Sequence, residues 1–232
     1  MSKRFNAALF VLASLPKTFY FNFKTLPFRQ AIHLPILIGY NIKILKANKH
    51  VISFPEDFNN KTFTVRFGFG GTEVVPNRKG MIRIVSGKCI FRNEDCFASG
   101  IVLDVNGGIL EFGNNFSANR NCFISCSKDI KFDDSVMTGW NVTVRDSDGH
   151  LVAQNHSIKD HQRPVRIGKH VWLCSFCTLL KGVTIGDNSI VGYGALVTKS
   201  FEDKNILVAG SPAKLIQTNV AWAHIGEEDL LL

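Results

Sequence analysis

No stretch of this sequence reaches the roughly 18 uninterrupted apolar residues of a membrane-spanning helix, which argues against a spanning protein. Cysteine is poorly placed for a metal site, because only Cys174 and Cys177 form a C-x-x-C pair and structural zinc usually takes two such pairs. A convincing export signal and the signatures of nucleic-acid-binding domains are also lacking. We therefore expect a cytoplasmic protein with reduced thiols, no bound metal and no nucleic-acid partner.

Acidic residues are missing from the first fifth of the chain. Residues 1–50 contain eight lysines and arginines but no aspartate or glutamate, so the net charge of +8 arises entirely there. The same segment holds seven aromatic residues from Phe5 to Phe28. Such a segment fits peripheral contact with the anionic inner face of a membrane, an anionic acceptor, or a solvated face whose aromatics pack on the body. We interpret it as a basic, aromatic extension that begins with a short helix.

A six-residue period between residues 167 and 200 is the strongest pattern in the sequence. Aliphatic residues recur at every sixth position, and small or β-branched residues recur four positions later. Helices and strands have periods of 3.6 and 2 residues, so neither explains this spacing. A hexapeptide period is typical of a parallel β-helix, in which each rung contributes one short strand and one corner. The aliphatic positions are Ile167, Leu173, Leu179, Ile185, Val191 and Val197.

The period extends upstream but is interrupted once. Between Asp148 and Arg166 the chain is polar, shows no repeat and contains three of the seven histidines. A long loop thrown out of a regular stack is usually functional or disordered, and functional loops on rigid scaffolds are common. We therefore predict a protruding loop at residues 148–166. The upstream register is predicted through Phe112, Ala118, Ile124, Ile130, Val136 and Val142, and more faintly through Ile84, Ile90, Cys96 and Val102.

Six short motifs carry a resemblance to a known family. They are NFSANRN at 115–121, DGH at 148–150, IGKHVW at 167–172, GVTIGDNS at 182–189, VTK at 197–199 and AGSPAK at 209–214. With them, residues 82–216 resemble the hexapeptide-repeat acyltransferases, especially the galactoside and maltose O-acetyltransferases and the capsular-polysaccharide O-acetyltransferases. The resemblance implies a left-handed parallel β-helix that forms homotrimers, with active sites between neighbouring subunits. It also implies direct transfer of an acetyl group from acetyl-CoA to an acceptor hydroxyl.

The resemblance assigns roles to individual residues. His150 corresponds to the catalytic general base, whose imidazole accepts the proton of the attacking hydroxyl. Asn119 and Trp172 correspond to residues that bind the acceptor, although Asn119 also fits a structural corner and Trp172 a surface aromatic. His156, His161 and His170 rank below His150. The positions that correspond to the coenzyme site are Trp172, Ser175, Tyr193, Thr198, Lys199 and Lys214.

The expected architecture is all-β, with a left-handed parallel β-helix at residues 51–200. The basic extension at 1–50 precedes it, and a capping segment at 201–232 follows, with a short helix at 213–225. The expected function is acetyl-CoA-dependent O-acetylation of a saccharide, such as a capsular or other surface polysaccharide or its precursor. The alternatives are N-acetylation of a nucleotide-linked amino sugar, a zinc hydratase of the same fold suggested by the spacing of His156 and His161, and a pure scaffold.

Overall fold

The structure is a computed structural model that describes residues 3–55, 58 and 61–227. It has two helices, α1 (Lys3–Thr25) and α2 (Phe28–Ala31), and is otherwise built from short strands. The strands are β1 (Ile36–Ile38), β2 (Ile42–Ala47), β3 (Ile52–Ser53), β4 (Val65–Phe67), β5 (Gly80–Phe91), β6 (Cys96–Phe97), β7 (Val102–Phe112), β8 (Ser117–Ala118), β9 (Phe123–Cys126), β10 (Asp129–Phe132), β11 (Met137–Thr138), β12 (Thr143–Arg145), β13 (Ala153–Gln154), β14 (Ser157–Ile158), β15 (Val165–Ile167), β16 (Trp172–Leu173), β17 (Thr178–Leu179), β18 (Thr184–Ile185), β19 (Ile190–Val191), β20 (Leu196–Val197), β21 (Ile206–Gly210) and β22 (Ala213–Thr218).

Successive turns of the chain stack as parallel strands. Trp172 pairs with Ile190 and Thr178 pairs with Leu196, so each partner lies 18 positions further along the chain and each turn contains three strands. The coil is therefore a triangular prism, and the left-handed parallel β-helix predicted from the sequence is confirmed. We call its sides face 1 (the nine-stranded sheet, including β8, β11, β16 and β19), face 2 (β9, β12, β17 and β20) and face 3 (β10, β15 and β18).

Stacked side chains fill the prism. In the upper turns Phe91, Phe112 and Phe132 form a column with ring centroids 5.4 and 5.3 Å apart and nearly parallel planes. Lower down the same column continues with Ile167 and Ile185, which are also buried. The upper turns are longer, since Ala118 pairs with Thr138, 20 positions on. A longer turn encloses more volume, which is why phenylalanine replaces the aliphatic residues there.

The register predicted upstream of residue 167 is wrong by two residues after Ile124. Phe132, rather than Ile130, pairs with Ile167, because Ile124 and Phe132, the next residue of the register, are eight positions apart instead of six. Ile130 is nevertheless fully buried, since a shift of two positions along a strand keeps side chains on the same side. Val136 and Val142 are likewise buried at the shifted positions. The hydrophobic pattern alone therefore does not reveal the insertion.

The faint register further upstream is right at Ile84, which is fully buried, but wrong by one residue from Ile90 onward. Phe91, Phe97 and Leu103 point into the core and are buried. Their predecessors Ile90, Cys96 and Val102, which were predicted to point inward, are only partly buried on the outer side. A slip of one position reverses every side chain of a strand, so this stretch was assigned to the wrong side.

The C-terminal segment forms a strand where a short helix was predicted. β22 pairs antiparallel with β21, and Ile206 lies opposite Thr218. The prediction of a helix at 213–225 is therefore wrong, because the last strand of face 1 offers unpaired backbone groups that β22 satisfies. Residues 228–232 of the predicted capping segment lie outside the described part of the chain.

Helix α1 covers the other end of the prism and is longer than the short helix predicted, at 23 residues. Three of its buried polar residues, Ser14, Thr18 and Asn22, recur every four positions and therefore share one side of the helix. Asn22 donates to the carbonyl of Ile36 at 2.7 Å and accepts from its N–H at 3.2 Å. Thr18 accepts from the N–H of Ile38 at 3.0 Å, so a polar side of α1 satisfies the free edge of β1.

The extension predicted at residues 1–50 is divided between the coil and the two helices. Strands β1 and β2 already belong to the coil, so of the elements described in this segment the helices α1 and α2 lie outside it. The side chains of residues 3–6, including Phe5, lie outside the described part of the structure. Within the described residues, neither helix has both the length and the apolar character needed to cross a bilayer.

Candidate active site

The loop predicted at 148–166 leaves the coil at the corner between faces 2 and 3. It follows β12, forms the exposed hairpin β13–β14 and rejoins the coil at β15. The amine of Lys181 lies 2.6 Å from a carboxylate oxygen of Asp148 and donates to the carbonyl of Asp160 at 2.6 Å. The N–H of Asp148 also donates to the carbonyl of His161 at 2.9 Å. The base of the loop is thereby held, and His150 projects from it with an exposed side chain.

A buried aspartate, Asp146, supports the point where this loop begins. Its carboxylate accepts hydrogen bonds from the backbone N–H groups of Ser127, Lys128 and Asp129 at 2.7 to 2.8 Å. Its own carbonyl accepts from the N–H of Arg163, where the loop returns. Asp146 therefore joins the lengthened corner of the upper turn to both ends of the loop. Sequence reasoning missed this residue, although its position four residues before His150 was a usable signal.

A cavity of about 390 Å³ lies on face 1, above strands β8, β11 and β16 near their C-terminal ends. Four residues predicted for acceptor or coenzyme binding line it together: Asn119, Trp172, Ser175 and Tyr193. Trp172 and Ser175 come from one turn of the coil and Asn119 and Tyr193 from two others, so the stacking of turns brings them together. The sequence did not indicate the other lining residues, which are Met137, Thr138, Gly139, Trp140 and Cys174.

Asn119 is oriented by backbone hydrogen bonds. Its side-chain oxygen accepts from the N–H of Thr72 at 3.1 Å and from the N–H of Arg120 at 2.8 Å. This fixes the plane of the amide at the cavity wall and leaves the amide nitrogen as the donor. The alternative role of a corner residue with left-handed backbone angles falls to Asn115 and Asn121, whose φ angles are 59° and 61°.

The floor of the cavity depends on Gly139. A Cβ atom at this position would lie 2.5 Å from the backbone nitrogen of Ser175, so no larger residue fits without movement of the backbone. The hydroxyl of Ser175 in turn accepts from the N–H of Trp140 at 3.2 Å. Tyr193 is exposed at the outer rim, with its ring centroid 5.2 Å from that of Phe176. The cavity therefore combines a rigid floor with an aromatic rim.

The remaining predicted residues lie elsewhere on the prism. His150, Thr198 and Lys199 are exposed at or beyond the corner between faces 2 and 3. Lys214 lies on β22, beyond the last turn of face 1, opposite Ala209. Within the described part of the single chain, the cavity on face 1 is not lined by any of these four residues. The roles assigned to them and to the cavity residues remain predictions.

Burial controls the chemistry of the cysteines. It raises the pKa of Cys174, beside the cavity, to about 11, and it raises the pKa of Cys177 further. Both side chains are therefore protonated thiols near neutral pH, and all six cysteines are free. Cys177 fills the coil interior, as its place in the repeat suggested. Within residues 3–55, 58 and 61–227, no three His, Cys, Asp or Glu side chains are grouped as metal ligands.

Comparison with known proteins agrees with this architecture. Residues 164–199 match the profile of the family described as bacterial transferase hexapeptide (six repeats). The galactoside O-acetyltransferase of Escherichia coli strain K12 is 30% identical over 161 residues, which cover 68% of this chain and 76% of that protein. The galactoside O-acetyltransferase of Lactococcus lactis strain IL1403 is 35% identical over 122 residues, covering 51% of this chain and 58% of that protein.

The fold is also found among solved structures. The crystal structure of the polySia-specific acetyltransferase NeuO superposes with a TM-score of 0.50 at 20% identity, covering 82% of this chain and 84% of that one. At this identity the similarity concerns the fold. Together with the sequence relatives, it shows that the chain belongs to the hexapeptide-repeat acyltransferases, as the six motifs predicted. The protein is thus an acyltransferase built on a left-handed β-helix.

Proposed function

We propose that this protein is an acetyl-CoA-dependent O-acetyltransferase that acetylates a saccharide hydroxyl, with His150 as the general base. The observation that carries the proposal is the cavity on face 1, which gathers Asn119, Trp172, Ser175 and Tyr193 from three turns of the coil. Its related proteins in E. coli and L. lactis are named galactoside O-acetyltransferases, which supports a sugar hydroxyl as the acceptor.

The proposed reaction is a direct transfer. The imidazole of His150 removes the proton of the acceptor hydroxyl as its oxygen attacks the thioester carbonyl of acetyl-CoA. The resulting tetrahedral oxyanion collapses, the carbon–sulfur bond breaks, and the proton leaves with the coenzyme A thiol. General-base assistance of this kind typically increases the rate by about 10²- to 10⁴-fold. Asn119, with its amide held by two backbone groups, orients the acceptor beside the cavity.

The placement of the site residues supports a homotrimer. The cavity lies towards the corner between faces 1 and 2, whereas His150, Thr198 and Lys199 lie towards the corner between faces 2 and 3. In a threefold assembly of parallel prisms, different corners of neighbouring copies lie side by side. The loop of one subunit then supplies His150 to the cavity of the next. Lys199, at the same corner as His150, and Lys214 supply positive charge for the coenzyme phosphates.

Helix α1 is the part of the molecule suited to an anionic surface. Its buried side is mostly polar, apart from Phe21, and its outer side exposes Leu9, Leu12, Phe19, Tyr20 and Phe23. Leu9, Leu12, Phe19 and Phe23 follow each other at spacings of three, seven and four, and Tyr20 adjoins Phe19, so the five form an apolar stripe. The amine of Lys24 lies 5.1 Å from the centroid of the Tyr20 ring, which places positive charge beside the stripe. An aromatic stripe flanked by lysine suits peripheral contact with the inner face of an anionic membrane.

The excess of basic residues at positions 1–50 also bears on which acceptor the enzyme uses and where it acts. None of the residues that line the cavity on face 1 is charged, so an anionic polymer would meet positive charge outside the cavity, at residues 1–50. The acceptor we propose is a surface polysaccharide or its precursor. We place the reaction in the cytoplasm, where acetyl-CoA and reduced thiols are both found.

The test of the activity is coenzyme A release from acetyl-CoA across a panel of hydroxyl and amino saccharides. His150→Ala is expected to lower kcat at least about a hundredfold without unfolding the protein, whereas His156→Ala, in the same loop, leaves turnover unchanged. Full turnover by His150→Ala removes this residue from the mechanism. Acetylation of amino sugars alone, with a rate that follows deprotonation of the amine, would establish the N-acetyltransferase alternative.

The shared site is tested by mixing two inactive variants. His150→Ala and Trp172→Ala trimers are unfolded together, refolded and assayed. Mixed trimers contain some sites with an intact imidazole from one subunit and an intact Trp172 from its neighbour, so activity returns. If both residues act within one subunit, every site in the mixture carries a defect and activity stays absent.

Membrane contact is tested by sedimentation with vesicles that contain phosphatidylglycerol or only phosphatidylcholine. The full chain is expected to sediment with the anionic vesicles, and Phe19→Gln with Phe23→Gln is expected to abolish this. If the double variant instead changes the oligomeric state, the stripe is an interface between copies and the membrane proposal is wrong.

A further inference from the structure

The C-terminal arm, residues 219–227, folds back over face 1 and builds a second cavity there. Trp222 is only 7% exposed, and its indole N–H donates to the carbonyl of His170 at 2.9 Å. Its ring is stacked on the imidazole of His170, with centroids 4.1 Å apart and planes 11° apart. The edge of the coil is already closed by β22, so the arm is not needed to satisfy backbone groups there.

The second cavity measures about 310 Å³ and adjoins the first. Met137 lines both cavities, which lie near opposite ends of the same strands of face 1. The ring of Trp222 is 6.0 Å from that of Trp172, which lines the first cavity. The two cavities are therefore neighbours on face 1, with Met137 at their common boundary.

The lining of the second cavity combines an indole with several hydrogen-bonding groups. Ser117 and Ser135 lie on the side of the coil, and His224 and Glu227 lie on the side of the arm. No lysine or arginine is among the lining residues. Sugars have apolar C–H faces and a rim of hydroxyls, so an aromatic ring with convergent polar groups suits them. The carboxylate of Glu227 disfavours a sugar that carries a negative charge.

We infer that this second cavity is a subsite for an uncharged sugar unit next to the unit that is acetylated. The inference rests on the proposed function and extends it, because the arm then makes the enzyme prefer oligosaccharides to monosaccharides. His224 and Glu227 hydrogen-bond the neighbouring unit, and Trp222 holds the arm in place through His170. Binding of this second unit adds affinity without participating in the transfer.

The test compares methyl β-galactoside with β-linked galactotriose as acceptors. The double variant His224→Ala with Glu227→Gln is expected to lower the ratio of kcat/KM for galactotriose to that for methyl β-galactoside about tenfold, mainly through KM. The control His33→Ala with Glu202→Gln replaces an exposed histidine and glutamate elsewhere and leaves this ratio unchanged. An unchanged ratio in the His224 and Glu227 variant overturns the subsite.

A binding measurement separates this inference from the proposed function. Saturation-transfer NMR with galactotriose is expected to show binding to the wild type and weaker binding to the double variant, whether or not acetyl transfer occurs. Binding without transfer to any saccharide would contradict the proposed function but support the subsite. Equal binding to both proteins, no binding to either, or a changed oligomeric state in the double variant would each overturn the subsite.

Discussion

Lys181 forms an ion pair with Asp148, with the amine 2.6 Å from the carboxylate oxygen. Lys181 lies on the turn of the coil that follows the loop, whereas Asp148 begins the loop that carries His150. The same amine donates to the carbonyl of Asp160, near the end of the loop. One lysine on the rigid coil thus holds both ends of a loop whose tip is exposed, and this restricts where His150 can be presented.

Replacing this lysine should impair catalysis more than folding. Lys181→Met removes both contacts, so we expect kcat to fall about tenfold while the KM for acetyl-CoA changes little. Steady-state kinetics measure the effect, and circular dichroism checks the fold. Lys181→Arg keeps the charge and should recover part of the lost kcat. Equal loss in the methionine and arginine variants, or no loss in either, would contradict a positioning role.

Asp146 is expected to be essential for stability. Asp146→Asn turns one of its two acceptor oxygens into a donor facing backbone N–H groups, which should destabilise the fold by about 2–3 kcal/mol. Urea denaturation measures this free energy. Asp133→Asn is the matched control, because Asp133 pairs with Lys131 at the surface and should contribute less than about 1 kcal/mol. Similar effects for the two variants would refute the special role of Asp146.

Asp95 should make stability depend on pH. Burial raises its pKa well above the ordinary value, and the nearby Asp134 adds repulsion, while the N–H of Phe116 partly offsets both. Its second carboxylate oxygen is buried without a hydrogen-bond partner in the described structure. Because the folded pKa exceeds the unfolded one, the stability gained by holding the proton is present at low pH and is lost as pH rises through the folded pKa.

Asp95→Asn removes this titration. We expect the variant to exceed the wild type in stability by about 1–3 kcal/mol at pH 8, and the difference to shrink as the pH falls to 5. Urea denaturation at several pH values measures it. A difference that stays constant with pH would show that ionisation of Asp95 is not responsible.

The polar side of α1 should be needed to close the coil. Asn22→Leu keeps a similar volume but leaves the N–H and carbonyl of Ile36 unpaired, so we expect destabilisation of about 2–4 kcal/mol. Thermal or urea denaturation measures it. Phe23→Gln, at the next and exposed position of the same helix, should change stability by less than about 0.5 kcal/mol. An equal loss of stability in Asn22→Leu and Phe23→Gln would show that the hydrogen bonds of Asn22 do not hold the helix to the coil.

The sequence predicted the coil because its lower turns repeat every six residues, and each repeat places one aliphatic side chain in the core. It was less reliable in the upper turns, where Phe91, Phe97 and Phe112 fill longer turns and the period is broken. A shift of two residues after Ile124 preserved the hydrophobic pattern and could not be detected. The strand β22 was also missed, because its structure depends on the free edge it joins rather than on its own residues.

The sequence by itself determined the family, the parallel coil and the position of the protruding loop, and it singled out Asn119, Trp172, Ser175 and Tyr193 as candidate site residues, since these depend on local motifs and spacing. Only the tertiary structure decided that those four residues share one cavity while His150 lies at a different corner. It also decided that Asp146 anchors the loop and that the C-terminal arm forms a second cavity. Such contacts join residues far apart in the chain, and only the stacking of successive turns brings them together.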